Sequence, residues 1–114
     1  MAYGRVAKFE ELKSLAFGSI TGAYAAVGTA TTDYTRIVTF TNTTNQAVYI
    51  SLDGTTNQLY LPSGVIKVID ISANKVRDDG LFIPKGTVFY TKHTGSAPTS
   101  GAVYIEVLYA GGGY

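Results

Sequence analysis

The most polar segment of the sequence, Leu52 to Gln58, contains residue types that bind a cation or a sugar. It reads LDGTTNQ, with one carboxylate at Asp53 and side-chain amides at Asn57 and Gln58. A calcium loop requires acidic oxygens at alternating positions, and here Asp53 is the sole acidic residue. The pair Asp53-Gly54 between two alternating strands is instead a strong hairpin signal. We therefore predict a turn at this position rather than a metal site.

Residues that carry catalysis are few and scattered. His93 is the only histidine and cysteine is absent, which excludes a histidine pair for a metal and every thiolate mechanism in this chain. The carboxylates are dispersed, and no pair is placed to flank a cleft as in a glycosidase. Neither a G-x-S-x-G elbow nor a glycine-rich phosphate loop leading into a helix is present. We expect no enzymatic activity, no metal and no cofactor.

One carboxylate lies in an apolar context. Asp70 interrupts the run VIKVIDIS at residues 65–72. A carboxylate inside a covered strand needs a partner, because burial without one is costly. Arg36, Lys67 or Arg77 would supply the positive charge. The pattern predicts a structural ion pair, and a contact with another protein is the alternative.

Tyrosine is abundant, with nine residues in the chain. Several lie on predicted strands at positions that alternate outward. Exposed tyrosine gives a large contact area at low entropic cost, which suits protein–protein contacts, and its ring also stacks on sugars. The candidate protein-contact residues are Phe9, Leu12, Tyr49, Thr55, Asn57, Tyr60 and Tyr104.

The composition indicates one folded domain. The chain has 114 residues, of which 46% are hydrophobic and 15% are charged, so it is not typical of a disordered protein. The formal net charge of +1 argues against a dedicated nucleic-acid surface. No apolar run approaches the ~20 residues of a membrane-spanning helix. The expected partners are therefore neither nucleic acid nor membrane.

Alternation of apolar and polar residues becomes clear from Arg36 onward. Turn signals recur about every ten residues, a spacing typical of a β-sandwich or a small barrel. The run at 65–72 is apolar on both faces, which predicts a central or covered strand. The alternation places Val48, Ile50 and Leu52 inward. It puts Val38 and Phe40 on one face of their strand, and Val103, Ile105, Val107 and Tyr109 on one face of the last strand.

We predict an all-β fold. It is a single antiparallel β-sandwich of jelly-roll or immunoglobulin-like type, with about seven or eight strands and a short N-terminal helix or arm. Val6, Phe9, Leu12 and Leu15 recur every third residue, which favours the helix, and an arm docked on a neighbouring subunit is the alternative. The predicted organisation is an arm or helix at 1–16, the sandwich at 17–110 and a flexible glycine-rich tail at 111–114.

Five short motifs lie mainly at turn and core positions. They are an arginine-led strand ending in Asn-Thr at Arg36–Thr43, S-x-D-G at Ser51–Gly54, L-P-x-G at Leu61–Gly64, G-T-x-x-Y at Gly86–Tyr90 and G-x-V-Y-x-x-V at Gly101–Val107. With these motifs, most of the chain after about Ser14 resembles a family of small all-β structural proteins of tailed bacteriophages. The motifs are specific for a fold more than for an activity.

The resemblance implies a virion structural protein that is assembled in the cytoplasm of a bacterial host. The first expectation is a capsid decoration or cement protein, and the alternative is a neck, collar or tail component that forms a ring or spike. The implied partners are the major capsid protein, or portal and tail proteins. The outward tyrosines and the low charge also predict a homo-oligomer. A carbohydrate-binding module that uses outward tyrosines and the Asn57 loop is an alternative of another class.

Overall fold

The computed structural model describes residues 6–70 and 83–111, with side chains at 8–70 and 83–109. This part of the chain forms nine strands and one 3₁₀ turn, at Phe17–Ser19, and contains no α-helix. The strands are β1 Val6–Phe9, β2 Lys13–Ala16, β3 Ala25–Val27, β4 Thr35–Asn42, β5 Val48–Ser51, β6 Leu59–Leu61, β7 Ile66–Asp70, β8 Phe89–His93 and β9 Ala102–Gly111.

The strands form two antiparallel sheets. Sheet I has the order β1-β9-β4-β7, and β2 also pairs with β9. Sheet II has the order β3-β8-β5-β6. Because β1 and β2 pair with successive parts of β9, they form one interrupted row of sheet I.

The order of the rows is that of a jelly roll. With β1 and β2 counted as one row, the chain passes through eight rows, and the first pairs with the last, the second with the seventh, the third with the sixth and the fourth with the fifth. This is the arrangement of a long antiparallel ribbon wrapped into two sheets. The all-β sandwich prediction is confirmed, and the strand order corresponds to its jelly-roll alternative.

The core lies between the two sheets, on the faces that strand alternation assigned to it. Phe40 of sheet I packs edge-to-face on Phe89 of sheet II, with ring centroids 5.7 Å apart. Such a contact adds about 0.5–1.5 kcal/mol to the burial of the two rings. Leu52, predicted to face inward, is half-buried and packs against the core. Val48 and Ile50, also predicted to face inward, are fully buried. The residues grouped on one face of β4 and of β9 are fully buried as well, namely Val38, Phe40, Val103, Ile105 and Val107, except that Tyr109, beyond a register shift, is half-buried.

The predicted N-terminal helix is wrong, because residues 6–9 and 13–16 form β1 and β2. The apolar side chains at every third residue, which suggested a helix, are spread over two short strands and residues 10–12 between them. The inward position opposite Ile105 is occupied by Lys13, whose charge hid the alternation of a strand. An arm remains compatible with this segment, which pairs along β9. Residues 1–5 of the predicted arm and 112–114 of the predicted tail lie outside the described residues.

A buried ion pair holds the interruption between β1 and β2. Lys13 Nζ lies 3.6 Å from Glu10 Oε1, and the side chains are 4% and 5% exposed. Glu10 Oε2 also accepts hydrogen bonds from the backbone N–H groups of Thr32 and Asp33, at 3.0 and 3.3 Å. A buried carboxylate requires such partners. The pair therefore ties the edge row of sheet I to the segment that leads into β4.

The strand predicted at 65–72 as central or covered is β7 at residues 66–70, which lies at the edge of sheet I among the described strands, and residues 71 and 72 lie outside the described residues. Within the described sheets, β7 pairs with β4 alone and ends the order of sheet I. Lys67, on its inward side, donates a hydrogen bond to the carbonyl of Tyr60 at 3.0 Å. An inward-pointing lysine is a common device of edge strands. Asp70 lies on the outward side, its ion pair with Arg36 stays a prediction, and Arg77 lies outside the described residues.

A buried amide joins the ends of three strands. Asn42 Nδ2 donates to the carbonyls of Gln46 and Leu61, at 2.9 and 3.0 Å. Its Oδ1 accepts from the N–H and the hydroxyl of Thr44, at 2.9 and 2.6 Å. All hydrogen-bonding groups of the amide side chain are thus satisfied, as burial requires. The end of β4, the turn to β5 and the end of β6 are fixed relative to one another.

The start of β9 approaches the same turn too closely for any side chain. Gly101 has φ 85°, and a Cβ atom at this position would overlap the carbonyl group of Thr43. Gly64 also has a positive φ, of 76°, but a Cβ there would meet open space. Substituting Gly64 therefore adds only the cost of an unfavourable φ, whereas substituting Gly101 also adds the cost of a backbone clash.

We expect Gly101→Ala to lower the free energy of unfolding much more than Gly64→Ala does. The second change adds the strain of a left-handed residue, about 1–2 kcal/mol, whereas the first adds a backbone clash and should cost about 3 kcal/mol or more. Urea denaturation of the two variants measures both values. Equal losses would contradict the close approach of β9 to the β4–β5 turn.

Candidate binding surfaces

The seven predicted contact residues lie on opposite sides of the sandwich. Strand register assigns the four residues on strands to an outer face, since residues paired across neighbouring strands of a sheet point the same way. Leu12 lines a depression with Phe9 and Glu106, and Asn57 binds Tyr24 from the turn that contains Thr55. Phe9 pairs with Leu108 and Tyr104 pairs with Thr41 on sheet I. Tyr49 pairs with Tyr60 on sheet II. The sheet I side thus carries Phe9, Leu12 and Tyr104, and the sheet II side carries Tyr49, Thr55, Asn57 and Tyr60.

The outer face of sheet I is apolar at its two edges. Along one edge Phe9 is 73% exposed and Leu12 is 54% exposed. Along the other, Ile66 and Val68 of β7 are 63% and 57% exposed. An antiparallel sheet with a solvated outer face normally places polar residues there. We call this surface the apolar face; it comprises Phe9, Leu12, Ile37, Ile66, Val68, Tyr104 and Leu108.

A depression opens beside the N-terminal edge of the apolar face. It has a volume of about 370 Å³ and is lined by Phe9, Glu10, Leu12 and Glu106. Phe9 and Leu12 supply apolar walls, and Glu106 places a carboxylate at the side of the depression. This shape and chemistry fit the side chains of a protein partner better than a reaction centre.

The segment Leu52 to Gln58 is a self-capped turn. Asp53 Oδ1 accepts hydrogen bonds from the Ser51 hydroxyl and from the N–H groups of Thr55 and Thr56, at 2.7, 2.8 and 2.8 Å. These donors hold the pKa of the Asp53 carboxyl well below its usual range. The predicted hairpin is confirmed, since β5 and β6 pair across this turn.

This turn folds back onto the outer face of sheet II. A Cβ at Gly54 would lie 3.3 Å from the ring of Tyr90, so the turn backbone packs on that ring. The Tyr24 hydroxyl donates to Asn57 Oδ1 at 2.5 Å and fixes the far side of the turn. Burial of the hydroxyl and the nearby charge of Asp53 raise the pKa of Tyr24, which keeps the phenol protonated as a donor.

Beside this turn, four side chains form a lateral line on sheet II, which we call the tyrosine row: Tyr24, Lys92, Tyr49 and Tyr60. Lys92 pairs with Tyr49 across β8 and β5, and its Nζ lies 4.9 Å from the ring centroid of Tyr24 and 5.9 Å from that of Tyr49. The rings of Tyr49 and Tyr60 have centroids 6.0 Å apart and are tilted by 56°. Tyr60 is 52% exposed.

Sequence reasoning missed Tyr24, Tyr90 and Lys92. Tyr24 stands in a stretch rich in glycine, alanine and threonine that showed no clear strand period. Lys92 joins the row through the register of β8 against β5, which a single sequence does not encode visibly. For Tyr90 the sequence did carry a signal. Alternation along β8 places its side chain on the face opposite to the buried Phe89 and Thr91.

His93 lies at the end of β8, opposite Val48, and faces the inner side of sheet II. Its ring packs near Gly22, and its Nδ1 atom is buried without a hydrogen-bond partner among the residues that the structure describes. Over the same residues, no group of three or more histidine, aspartate or glutamate side chains is arranged to hold a metal ion. No helix there is long and apolar enough to cross a bilayer.

No protein-family model matches the chain, and no curated protein matches its sequence. The functional inference therefore depends on the fold and on the two outer faces.

We expect Asp53→Asn to lower the melting temperature at neutral pH. A carboxyl whose pKa is depressed in the folded state stabilises the fold at pH values above its pKa in the unfolded chain, which is near 4. This stabilisation is lost as the pH falls toward the pKa of the folded state. The difference between the wild type and the variant should thus shrink as the pH falls from about 5 to about 2. Circular dichroism melts across this range test it, and a difference that does not vary with pH would contradict the charged cap.

Proposed function

We propose that this protein is a structural component of a bacteriophage virion and that it decorates or cements the capsid. The observation that carries the proposal is the apolar face of sheet I, where Phe9, Leu12, Ile66 and Val68 are each more than half exposed. The resemblance of the strand and turn motifs to small phage structural proteins supports the choice of a virion. The partner is then the major capsid protein, with further copies of this chain as neighbours.

Covering the apolar face contributes a favourable free energy of association. Each Å² of apolar surface removed from water contributes about 25 cal/mol, so covering these four side chains favours association. Exposed apolar patches on small soluble domains mark protein–protein contacts more often than they mark reaction centres. Phe9 lies on β1, which pairs with β9, and Ile66 and Val68 lie on β7, which pairs with β4. The surface is therefore presented with a fixed shape, and little entropy is lost when it is covered.

Repetition of the same contact on a symmetric particle strengthens the binding of each copy. A single sandwich of this size offers a contact area that would give only a weak pairwise interaction. On a symmetric particle the same contact is repeated many times, and contacts between neighbouring copies raise the effective concentration of each one. A small module with a rigid contact face suits this mode of binding.

Copy number in purified particles tests the assignment. A decoration protein should be present in hundreds of copies per particle, which quantitative gel densitometry against the major capsid protein measures. A content of about a dozen copies would instead indicate a ring at the neck, collar or tail. Absence of the protein from purified particles would overturn the virion proposal.

We expect Val68→Asp to reduce incorporation into particles by roughly tenfold or more, because a charge placed in a covered apolar contact leaves a costly buried carboxylate. Ser96→Asp adds the same charge at an exposed loop position and should be incorporated normally. Circular dichroism checks that both variants are folded. Normal incorporation of folded Val68→Asp would show that the apolar face is not the contact.

A further inference from the structure

We infer that the tyrosine row on the outer face of sheet II binds a neutral oligosaccharide of gluco-configured sugars. This site lies on the opposite side of the sandwich from the apolar face, and it goes beyond the proposed role in the virion. It uses different side chains and different chemistry, so it can be tested independently.

The two outer faces differ in their content of aliphatic residues. On sheet I four outward residues are aliphatic, Ile37, Ile66, Val68 and Leu108, and they share the face with the polar Thr39, Thr41, Asp70 and Glu106. On sheet II, in contrast, the outward side chains are aromatic or polar, with Ala26 as the aliphatic exception among the described strand positions: Ala26, Tyr49, Ser51, Tyr60, Tyr90 and Lys92. The core of a protein interface is normally enriched in tyrosine but depleted in lysine. The position of Lys92 between two rings therefore favours a ligand rich in hydroxyl groups over a protein partner.

Aromatic rings combined with hydrogen-bond donors match the surface of a sugar. A gluco-configured pyranose has its hydroxyl groups around the rim, and its two faces present C–H groups. These faces stack on the electron-rich face of a phenol ring, while the rim seeks donors and acceptors. Tyr60, at 52% exposure, offers the most accessible ring of the row.

The geometry of the row provides two adjoining stacking surfaces. The ring centroids of Tyr49 and Tyr60 are 6.0 Å apart, and the 56° tilt between the rings makes a shallow angle rather than a flat plate. Such an angle can contact one sugar from two sides or two linked sugars in succession. The extended shape favours an oligosaccharide over a monosaccharide.

Lys92 supplies donors that are already held in place. Its Nζ is within 6 Å of the ring centroids of both Tyr24 and Tyr49, at 4.9 and 5.9 Å. Cation–π contacts of this kind restrict a long side chain, so less entropy is lost when it binds a ligand. An ammonium group donates hydrogen bonds and accepts none, which suits the lone pairs of sugar hydroxyls.

The self-capped turn forms a fixed polar rim beside the row. Asn57 Oδ1 accepts from Tyr24, and Gln58 Oε1 accepts from the N–H of Leu52 at 2.6 Å. The contact with Tyr24 engages the carbonyl end of the Asn57 amide, so its NH₂ group is directed away from Tyr24 and can donate to a ligand. Gln58 lies on the other side of the turn, where it lines an opening with Leu52 and Leu59. Asp53 acts electrostatically on Tyr24, and Lys92 lies over the same ring, so one negative and one positive charge lie near this end of the row. This favours a neutral sugar over an anionic one.

The test is an NMR titration of the full chain with two defined probes, cellotriose and chitotriose, at concentrations up to about 10 mM, a range in which weak single-site binding is detectable. We expect saturable shifts for at least one probe, centred on Tyr49, Tyr60 and Lys92. Tyr60→Ala should weaken the affinity by roughly tenfold or more, and Tyr60→Phe, which keeps the ring, should largely preserve it. Phe17→Ala removes another exposed ring, outside both surfaces, and should leave binding unchanged.

Three results would overturn the inference. The first is the lack of saturable shifts with either probe, and the second is a set of shifts that centres on sheet I. The third is protection of the tyrosine row by a second copy of the chain in solution, which would make it a protein contact. Incorporation of Tyr60→Ala into particles should remain normal. Failure of the sugar site and failure of the virion proposal are thereby distinguishable.

Discussion

The register of β4 against β9 is the constraint on which the rest of the structure depends. The pair places Val38 opposite Val107 and Phe40 opposite Ile105 in the core, while the residues between them point outward. Because side chains alternate with a period of two, a slip by one residue would exchange the buried and exposed sets. The same register therefore determines the core and the composition of the apolar face. β9 also carries β1 and β2, so the edge row depends on this pairing too.

The jelly roll places two different surfaces, the outer faces of sheet I and sheet II, on opposite sides of one hydrophobic core. Sheet I exposes Phe9 and Leu12 along one edge and Ile66 and Val68 along the other, with Thr39 and Glu106 between them, and the exposed apolar residues favour coverage by another protein. Sheet II presents tyrosine rings, a lysine held between two of them and a turn stabilised by Asp53. A module with two such faces can be held by one and remain open at the other. That separation is the basis for proposing that the protein is an assembly component with an additional binding surface.

Regular alternation made much of the sandwich predictable, and its exceptions were not. The inward residues of β4, β5 and β9 follow from period-two patterns, and the turn at Asp53-Gly54 follows from its residue types. Lys13 occupies an inward position of the edge row where alternation predicts an apolar residue. Its burial is possible because Glu10 pairs with it and is held in turn by a loop distant in sequence, which local patterning does not show. The edge position of β7 depends on strand order, which local patterning does not report. The candidate contact residues could be named individually from the sequence, but their division between two faces required the pairing of strands distant in sequence.

The central claim is that the protein is held in the particle by the apolar face and leaves the tyrosine row open. Covalent footprinting with mass spectrometry tests it most directly, by comparing the free protein with the protein in purified phage particles. The account predicts strong protection of Phe9, Leu12 and Val68 on assembly, with Tyr49 and Tyr60 labelled as in the free protein. Protection of the tyrosines with an unchanged apolar face would contradict it.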